Sequence, residues 1–191
     1  MARRIDILSY VCIARRYDNE VKGVSLNLIP DRVENSIYDL DFPALYRGGV
    51  RLLLADLDNT VARYHQPEPD EALRRWLEEA QAAGLTVFVL SNGRRPARSK
   101  RFCESWGVPY LSHAGKPHRR GFDLAFAQTG VTPEQAVILG DQIFTDVWGG
   151  HNAGIRAILI RPIALDSAFR VLRYGVEAPF RGLCKLRGDR I

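Results

Sequence analysis

Short apolar runs alternate along the middle of this chain with longer stretches in which apolar residues recur every three or four positions. Leu52-Leu-Leu-Ala-Asp-Leu57 and Thr86-Val-Phe-Val-Leu90 are brief and almost wholly apolar, as expected of strands covered on both faces. Ala136-Val-Ile-Leu139 and Arg156-Ala-Ile-Leu-Ile160 repeat that pattern, and Val108-Pro-Tyr-Leu111 is a shorter candidate. Between the first two runs, Leu73, Trp76, Leu77 and Ala80 follow helical spacing and predict a helix over 70–83. Pro69 and Asp70 suit its start and Gly84 its end. Further helices are expected from Pro96 to Trp106, from Arg119 to Gln128 and from Asp146 to Asn152, each followed within two residues by glycine. Strands separated by helices of ten to fifteen residues predict an α/β fold with a parallel sheet of about five strands and right-handed crossovers.

In such a sheet the ligand site lies beyond the carboxyl ends of the strands. The polar residues at those ends are Asp56 and Asp58 after the first run, Ser91 and Asn92 after the second, and Asp141 after the fourth. Asp56-Leu-Asp58-Asn-Thr60 sets two carboxylates beside a buried strand, which is costly unless a cation or hydrogen bonds compensate. Gly140-Asp-Gln-Ile-Phe-Thr-Asp146 brings two more to the same edge. A hard divalent cation taking oxygen ligands would relieve their mutual repulsion. Ser91-Asn92-Gly93 forms a strand-to-helix turn whose hydroxyl and backbone N–H groups suit a phosphate. Lys116, held extended before Pro117, can project into the same place. Each piece has an ordinary structural reading as a turn, an N-cap or a surface lysine; their convergence on one sheet edge is what points to chemistry.

Taken in order, Asp-x-Asp-x-Thr, Ser-Asn, Lys-Pro and Gly-Asp-x-x-x-x-Asp resemble the haloacid dehalogenase (HAD) superfamily. Asp56 to Thr60, Gly140 to Gly150, Ser36-Ile-Tyr-Asp-Leu40 and Gly49-Val-Arg-Leu-Leu-Leu54 are similar to the YqeG-type branch of HAD subclass IIIA. The resemblance spans residues 26–163 and implies a HAD-like, Rossmannoid three-layer sandwich. On either side stand a basic N-terminal extension, 1–25, and a basic C-terminal segment, 164–191. It further implies a Mg²⁺-dependent phosphomonoester hydrolase working through an aspartyl-phosphate. Asp56 would be the nucleophile. Asp58 would be the general acid and base and lend its main-chain carbonyl to the metal. Thr60 would orient Asp58 at the phosphate-binding end, Ser91 and Asn92 would bind phosphoryl oxygens, and Lys116 would neutralise them. Asp141 would ligate Mg²⁺ with Asp56, and Asp146 would hold the metal shell or Lys116.

The spacing between motifs sharpens the substrate. About thirty residues separate Asp58 from Ser91 and about twenty-three separate Asn92 from Lys116, which one helix and one strand use up in each case. That leaves no room for a cap domain, so the site is open and suits a substrate whose own bulk covers it. The YqeG-type branch is similar to phosphatases of phosphatidylglycerophosphate, which implies a phospholipid head group and a role in phospholipid biosynthesis.

Charge adds to this picture. The chain carries 27 Lys and Arg against 22 Asp and Glu among its 191 residues. Residues 1–25 hold five basic and three acidic side chains, residues 161–191 seven and three, and the part between is close to neutral. Basic ends favour peripheral contact with an anionic membrane. Ile163, Leu165, Phe169, Val171 and Leu172, with Arg170 and Arg173, could lie in such an interface or pack on the domain. The run Arg94, Arg95, Arg98, Lys100 and Arg101 reads as a solvated helix face, or as a means of drawing in an anionic substrate. Three cysteines far apart, Cys12, Cys103 and Cys184, indicate neither a disulfide framework nor a zinc site and fit a cytoplasmic setting. Two other functions remain in view: a soluble nucleotide or sugar-phosphate phosphatase, and a nucleic-acid-binding protein with a vestigial HAD core. Nucleic-acid binding is not expected, because it needs neither Asp58 nor Lys116.

Overall fold

The computed structural model describes residues 27–93 and 95–187. The N-terminal extension expected over 1–25, with Cys12, lies outside them, as does Arg94. Six strands form one parallel sheet in the order β1-β6-β5-β2-β3-β4. They are β1 (Arg32–Glu34), β2 (Leu52–Ala55), β3 (Thr86–Ser91), β4 (Tyr110–Ser112), β5 (Ala136–Gly140) and β6 (Arg156–Ile160). The helices are α1 (Phe42–Arg47), α2 (Glu71–Ala82), α3 (Pro96–Trp106), α4 (Arg120–Thr129), α5 (Trp148–Asn152), α6 (Ala168–Val176) and α7 (Ala178–Arg187).

Five strands match the apolar runs. The sixth, β1, was not legible: it is three residues long, half-buried, and among the described residues pairs with β6 alone. The helix expected over Asp146 to Asn152 is a π-helical turn, Ile143–Val147, running into α5.

The sheet separates two apolar layers, and strand alternation assigns each side chain to one of them. Leu53, Ala55, Val87, Val89, Val137 and Leu139 face one layer, packed with Leu73 and Trp76 of α2 and Phe102 and Trp106 of α3. Leu52, Leu54, Phe88, Leu90, Ile138 and Leu159 face the other, with Phe122 and Ala125 of α4 and Val147 of the π-turn. The helix ends obey local rules. Asp70 caps α2 by accepting from Leu73 N–H at 2.9 Å, and Gly107 and Gly130 close α3 and α4 with φ of 76° and 72°.

From β2 the chain moves outward to β3 and β4, then returns to place β5 on the other side of β2. This reversal opens a crevice at the carboxyl end of β2, where ligands bind in sheets of this kind. Among the described residues no helix is long and apolar enough to cross a membrane.

Candidate active site

Asp56 follows β2 directly, with its backbone N–H donating to Leu139 O of β5 at 2.8 Å. Its carboxylate is therefore fixed at the crevice by the ladder itself. Lys116 Nζ lies 2.7 Å from Asp56 Oδ1 and 2.6 Å from Asp146 Oδ1, and donates to Leu90 O at 2.7 Å. All four groups are buried, so one cation is shared between two carboxylates away from water. Burial works against the Lys116 ammonium, but Asp146 and Asp56 outweigh it and the net shift is upward. Asp56 is raised well above the usual carboxylate range, chiefly by burial; Lys116 opposes this, and Asp146 and Asp141 add to it.

Asp56, Asp141 and Asp146 each offer an oxygen within 4.8 Å of the others, and all three are buried. Asp56 Oδ2 is also buried and has no hydrogen-bond partner among the described residues. Three carboxylates against two cations, Lys116 and Arg173, leave one negative charge in low dielectric. An oxygen-only set with an unused acceptor suits a hard divalent cation. Asp141 Oδ2 accepts from Asn59 Nδ2 at 3.2 Å and from Arg173 of α6 at 3.0 Å.

The sequence around Asp146 is built for close approach. A Cβ on Gly140 would stand 2.2 Å from Asp146 Cγ, so only glycine admits that carboxylate against the end of β5. The π-turn then delivers it, with Asp146 Oδ2 accepting from Gln142 N–H at 3.2 Å.

Ser91 and Asn92 end β3. Ser91 Oγ accepts from Gly93 N–H at 3.0 Å. The Asn92 side chain bridges to the Lys116 loop, donating to Lys116 O at 2.8 Å and accepting from Lys116 N–H at 3.0 Å. Asn92 thus fixes the loop that carries the lysine. Gly93 leaves room for its neighbours: a Cβ there would lie 2.9 Å from both Asp58 Oδ2 and Ser91 Oγ.

Asp58 stands at the mouth. Its side chain is 19% exposed and paired with Arg98 of α3, whose second nitrogen donates to Arg63 O at 2.7 Å. Thr60 is buried beside it, but its hydroxyl has no hydrogen-bond partner among the described residues, and Arg98 is what holds the Asp58 carboxylate.

Besides the Arg98–Asp58 pair, two site contacts escaped the sequence reading. Asn59, at φ 71°, ties Asp141 to the start of the C-terminal segment through bonds to both Ala164 backbone groups, 2.9 and 3.0 Å. The available signal was the residue type alone, an asparagine between two motif residues, since asparagine tolerates the left-handed region. Arg173 reaches Asp141 across 32 residues, and no local pattern marks such a pair. A cleft of about 580 Å³ is lined by Thr60 and Arg63 but by none of Asp56, Asp58, Asp141 and Asp146.

Comparison with known proteins agrees with this geometry. Residues 113–162 match the family model for HAD-hydrolase-like proteins. Over 159 residues the chain is 31% identical to the probable phosphatase YqeG of Bacillus subtilis, covering 83% of this chain and 91% of that one. It is 26% identical over 147 residues to phosphatidylglycerophosphate phosphatase 1, chloroplastic, of Chlamydomonas reinhardtii, covering 71% of this chain and 53% of that one. A solved structure of an uncharacterized Listeria monocytogenes serotype 4b protein shares the fold, with a TM-score of 0.50 at 20% identity over 62% of this chain and 84% of that one. With its parallel sheet, its aspartate cluster at the strand ends and a relative aligned along most of its length, the chain belongs to the HAD superfamily and is a phosphatase of the YqeG type.

Proposed function

We propose that this phosphatase hydrolyses the phosphomonoester of phosphatidylglycerophosphate, with Mg²⁺ held by Asp56, Asp141, Asp146 and the Asp58 main-chain carbonyl. The observation that carries the reading is the buried Asp56 carboxylate, with one oxygen on Lys116 and the other without a partner among the described residues. Asp56 attacks phosphorus and forms an acyl phosphate as the P–O bond to the alcohol breaks. Asp58 gives its proton to the departing oxygen. It then takes a proton from water as that water displaces Asp56 and releases inorganic phosphate. Lys116, the Ser91 hydroxyl and the backbone at Asn92 bind the phosphoryl oxygens, and Thr60 follows in the loop that carries Asp58. The metal supplies charge neutralisation at the phosphoryl group, and the residues supply position.

The lipid substrate is supported by the Chlamydomonas reinhardtii relative, whose name states that activity. The open mouth and the C-terminal segment support it too. Ile163, Leu165, Val171 and Leu172 are 39%, 40%, 52% and 67% exposed, which favours contact with an anionic bilayer over packing on the domain. The Phe169 side chain lies outside the described residues. The test is phosphate release from phosphatidylglycerophosphate in mixed micelles beside soluble nucleotide and sugar monoesters, with Asp56→Asn in parallel. The reading expects Mg²⁺-dependent preference for the lipid and no turnover by the variant. Equal rates on soluble esters would remove the lipid assignment, and an active Asp56→Asn would remove the mechanism.

A further inference from the structure

Beyond Arg98, which holds Asp58, this side of the crevice carries cations that the phosphoryl chemistry does not use. Around the ring of Tyr64 stand three guanidinium groups, with the Cζ atoms of Arg95, Arg98 and Arg170 at 5.2, 6.0 and 5.2 Å from its centroid. They come from opposite sides: Arg95 and Arg98 from the start of α3, and Arg170 from α6. Two have carboxylate partners, Arg98 with Asp58 and Arg170 with Asp166. Among the described residues, the Arg95 guanidinium has no hydrogen bond or ion pair and only the face of Tyr64 beside it. Three cations therefore face two carboxylates, and the remaining positive charge is exposed at the mouth.

Position gives this excess a meaning. On the reading of Asp58 as the proton donor, the leaving oxygen must lie against Asp58. The leaving alcohol then extends over Arg98 and Tyr64, towards Arg95 and Arg170. We propose that Tyr64, Arg95 and Arg170 form a subsite for a second anionic group on the leaving alcohol, of the phosphodiester class, a few bonds from the scissile oxygen. Guanidinium groups suit phosphate oxygens because their planar fork matches them. The electron-rich face of Tyr64 attracts the guanidinium groups but carries no net charge, so it leaves theirs unneutralised. The inference deepens the proposed function. It asks for an ester with two phosphates, one cleaved and one gripped, and it places recognition in the head group rather than in the acyl chains.

The test compares kcat/KM on sn-glycerol 3-phosphate, whose leaving alcohol is neutral, with the deacylated head group glycerophosphoglycerophosphate, whose leaving alcohol is a phosphodiester. Micellar phosphatidylglycerophosphate forms a third arm that reports the acyl chains. The subsite expects the wild type to favour the deacylated head group over glycerol 3-phosphate by about tenfold, and high salt to shrink that ratio. The double variant Arg95→Gln, Arg170→Gln is expected to bring the ratio to within about threefold. A ratio near one in the wild type, or a preference that survives in the double variant, overturns the subsite while leaving the phosphatase intact. A preference that appears only with the acylated lipid overturns it too, because recognition then lies in the chains. If no monoester is hydrolysed, the proposed reaction fails on its own account. Calorimetry with glycerophosphoglycerol then decides the subsite: weaker binding to the double variant supports it, and equal binding overturns it.

Discussion

Gly140 and Asp146 occupy one space: the atoms of the Asp146 carboxyl lie 2.2–2.4 Å from where a Cβ on residue 140 would stand. The strand must therefore end in glycine for the π-turn to fold its aspartate back over it. Gly140→Ala is expected to expel Asp146 from Lys116, costing about 1–3 kcal/mol of stability from overpacking and most of the activity. Gly175→Ala is the control, because a Cβ there meets nothing within 4 Å in helix α6. It is expected to raise stability by up to about 1 kcal/mol. Urea unfolding and phosphatase rate, measured on both variants, check the pair; an active, stable Gly140→Ala would contradict the arrangement.

That contact explains why so much of the site was legible. Gly-Asp-x-x-x-x-Asp, Asp-x-Asp and Ser-Asn each sit at the end of a strand whose apolar run is obvious, so the sheet brings them together once its order is right. What was not legible depends on distance along the chain. Arg98 reads locally as one member of a basic helix face, and only the packing of α3 beside the β2 loop brings it to Asp58, 40 residues away. Arg173 looks like part of an amphipathic surface helix, yet its guanidinium is tied to Asp141. Strand β1 has too few residues to show alternation, and it is defined by pairing with β6 more than 120 residues later. The π-turn has no residue signature at all; it is recognised only by where it sets Asp146, against Lys116.

The acidic cluster makes stability depend on pH and metal in opposite directions. Burial raises the Asp141 carboxyl, and Asp146 adds to that against the pull of Arg173, Asn59 and Gln142. Asp56 is raised as well, again chiefly by burial. With chelator present, the native chain keeps protons that the unfolded chain has released. The contribution of these groups to stability is therefore lost as pH rises from about 4 through the raised values. A bound divalent cation favours the ionised forms and opposes that loss. In EDTA the urea midpoint is expected to fall more steeply than in Mg²⁺ as pH rises above about 4. Saturating Mg²⁺ is expected to add about 2.7 kcal/mol at a hundred times its Kd. Asp141→Asn is expected to flatten the slope in EDTA and to lose most of the Mg²⁺ stabilisation. A midpoint indifferent to Mg²⁺ at pH 8 would show that the three carboxylates do not bind it.

Asn59 joins the nucleophile loop to the segment that leads into α6, and two variants can separate its backbone role from its side-chain role. At φ 71° it occupies a region that asparagine tolerates and alanine resists, while its amide holds Asp141 and both backbone groups of Ala164. Asn59→Gly keeps the backbone comfortable and removes the side-chain hydrogen bonds. Asn59→Ala removes the same bonds and adds the strain of a Cβ in the left-handed region. Each hydrogen bond contributes about 0.5–1.5 kcal/mol and the backbone strain about 1–2 kcal/mol. The alanine variant is therefore expected to unfold at lower urea than the glycine variant, and both below wild type. Activity should separate the two roles differently. If holding Asp141 and residue 164 is what matters to the reaction, both variants lose rate to a similar degree, despite their different stabilities. A glycine variant with wild-type rate would show that Asn59 serves only the turn, and that the C-terminal segment holds the site through Arg173 on Asp141 and Glu177 on the Ile143 N–H.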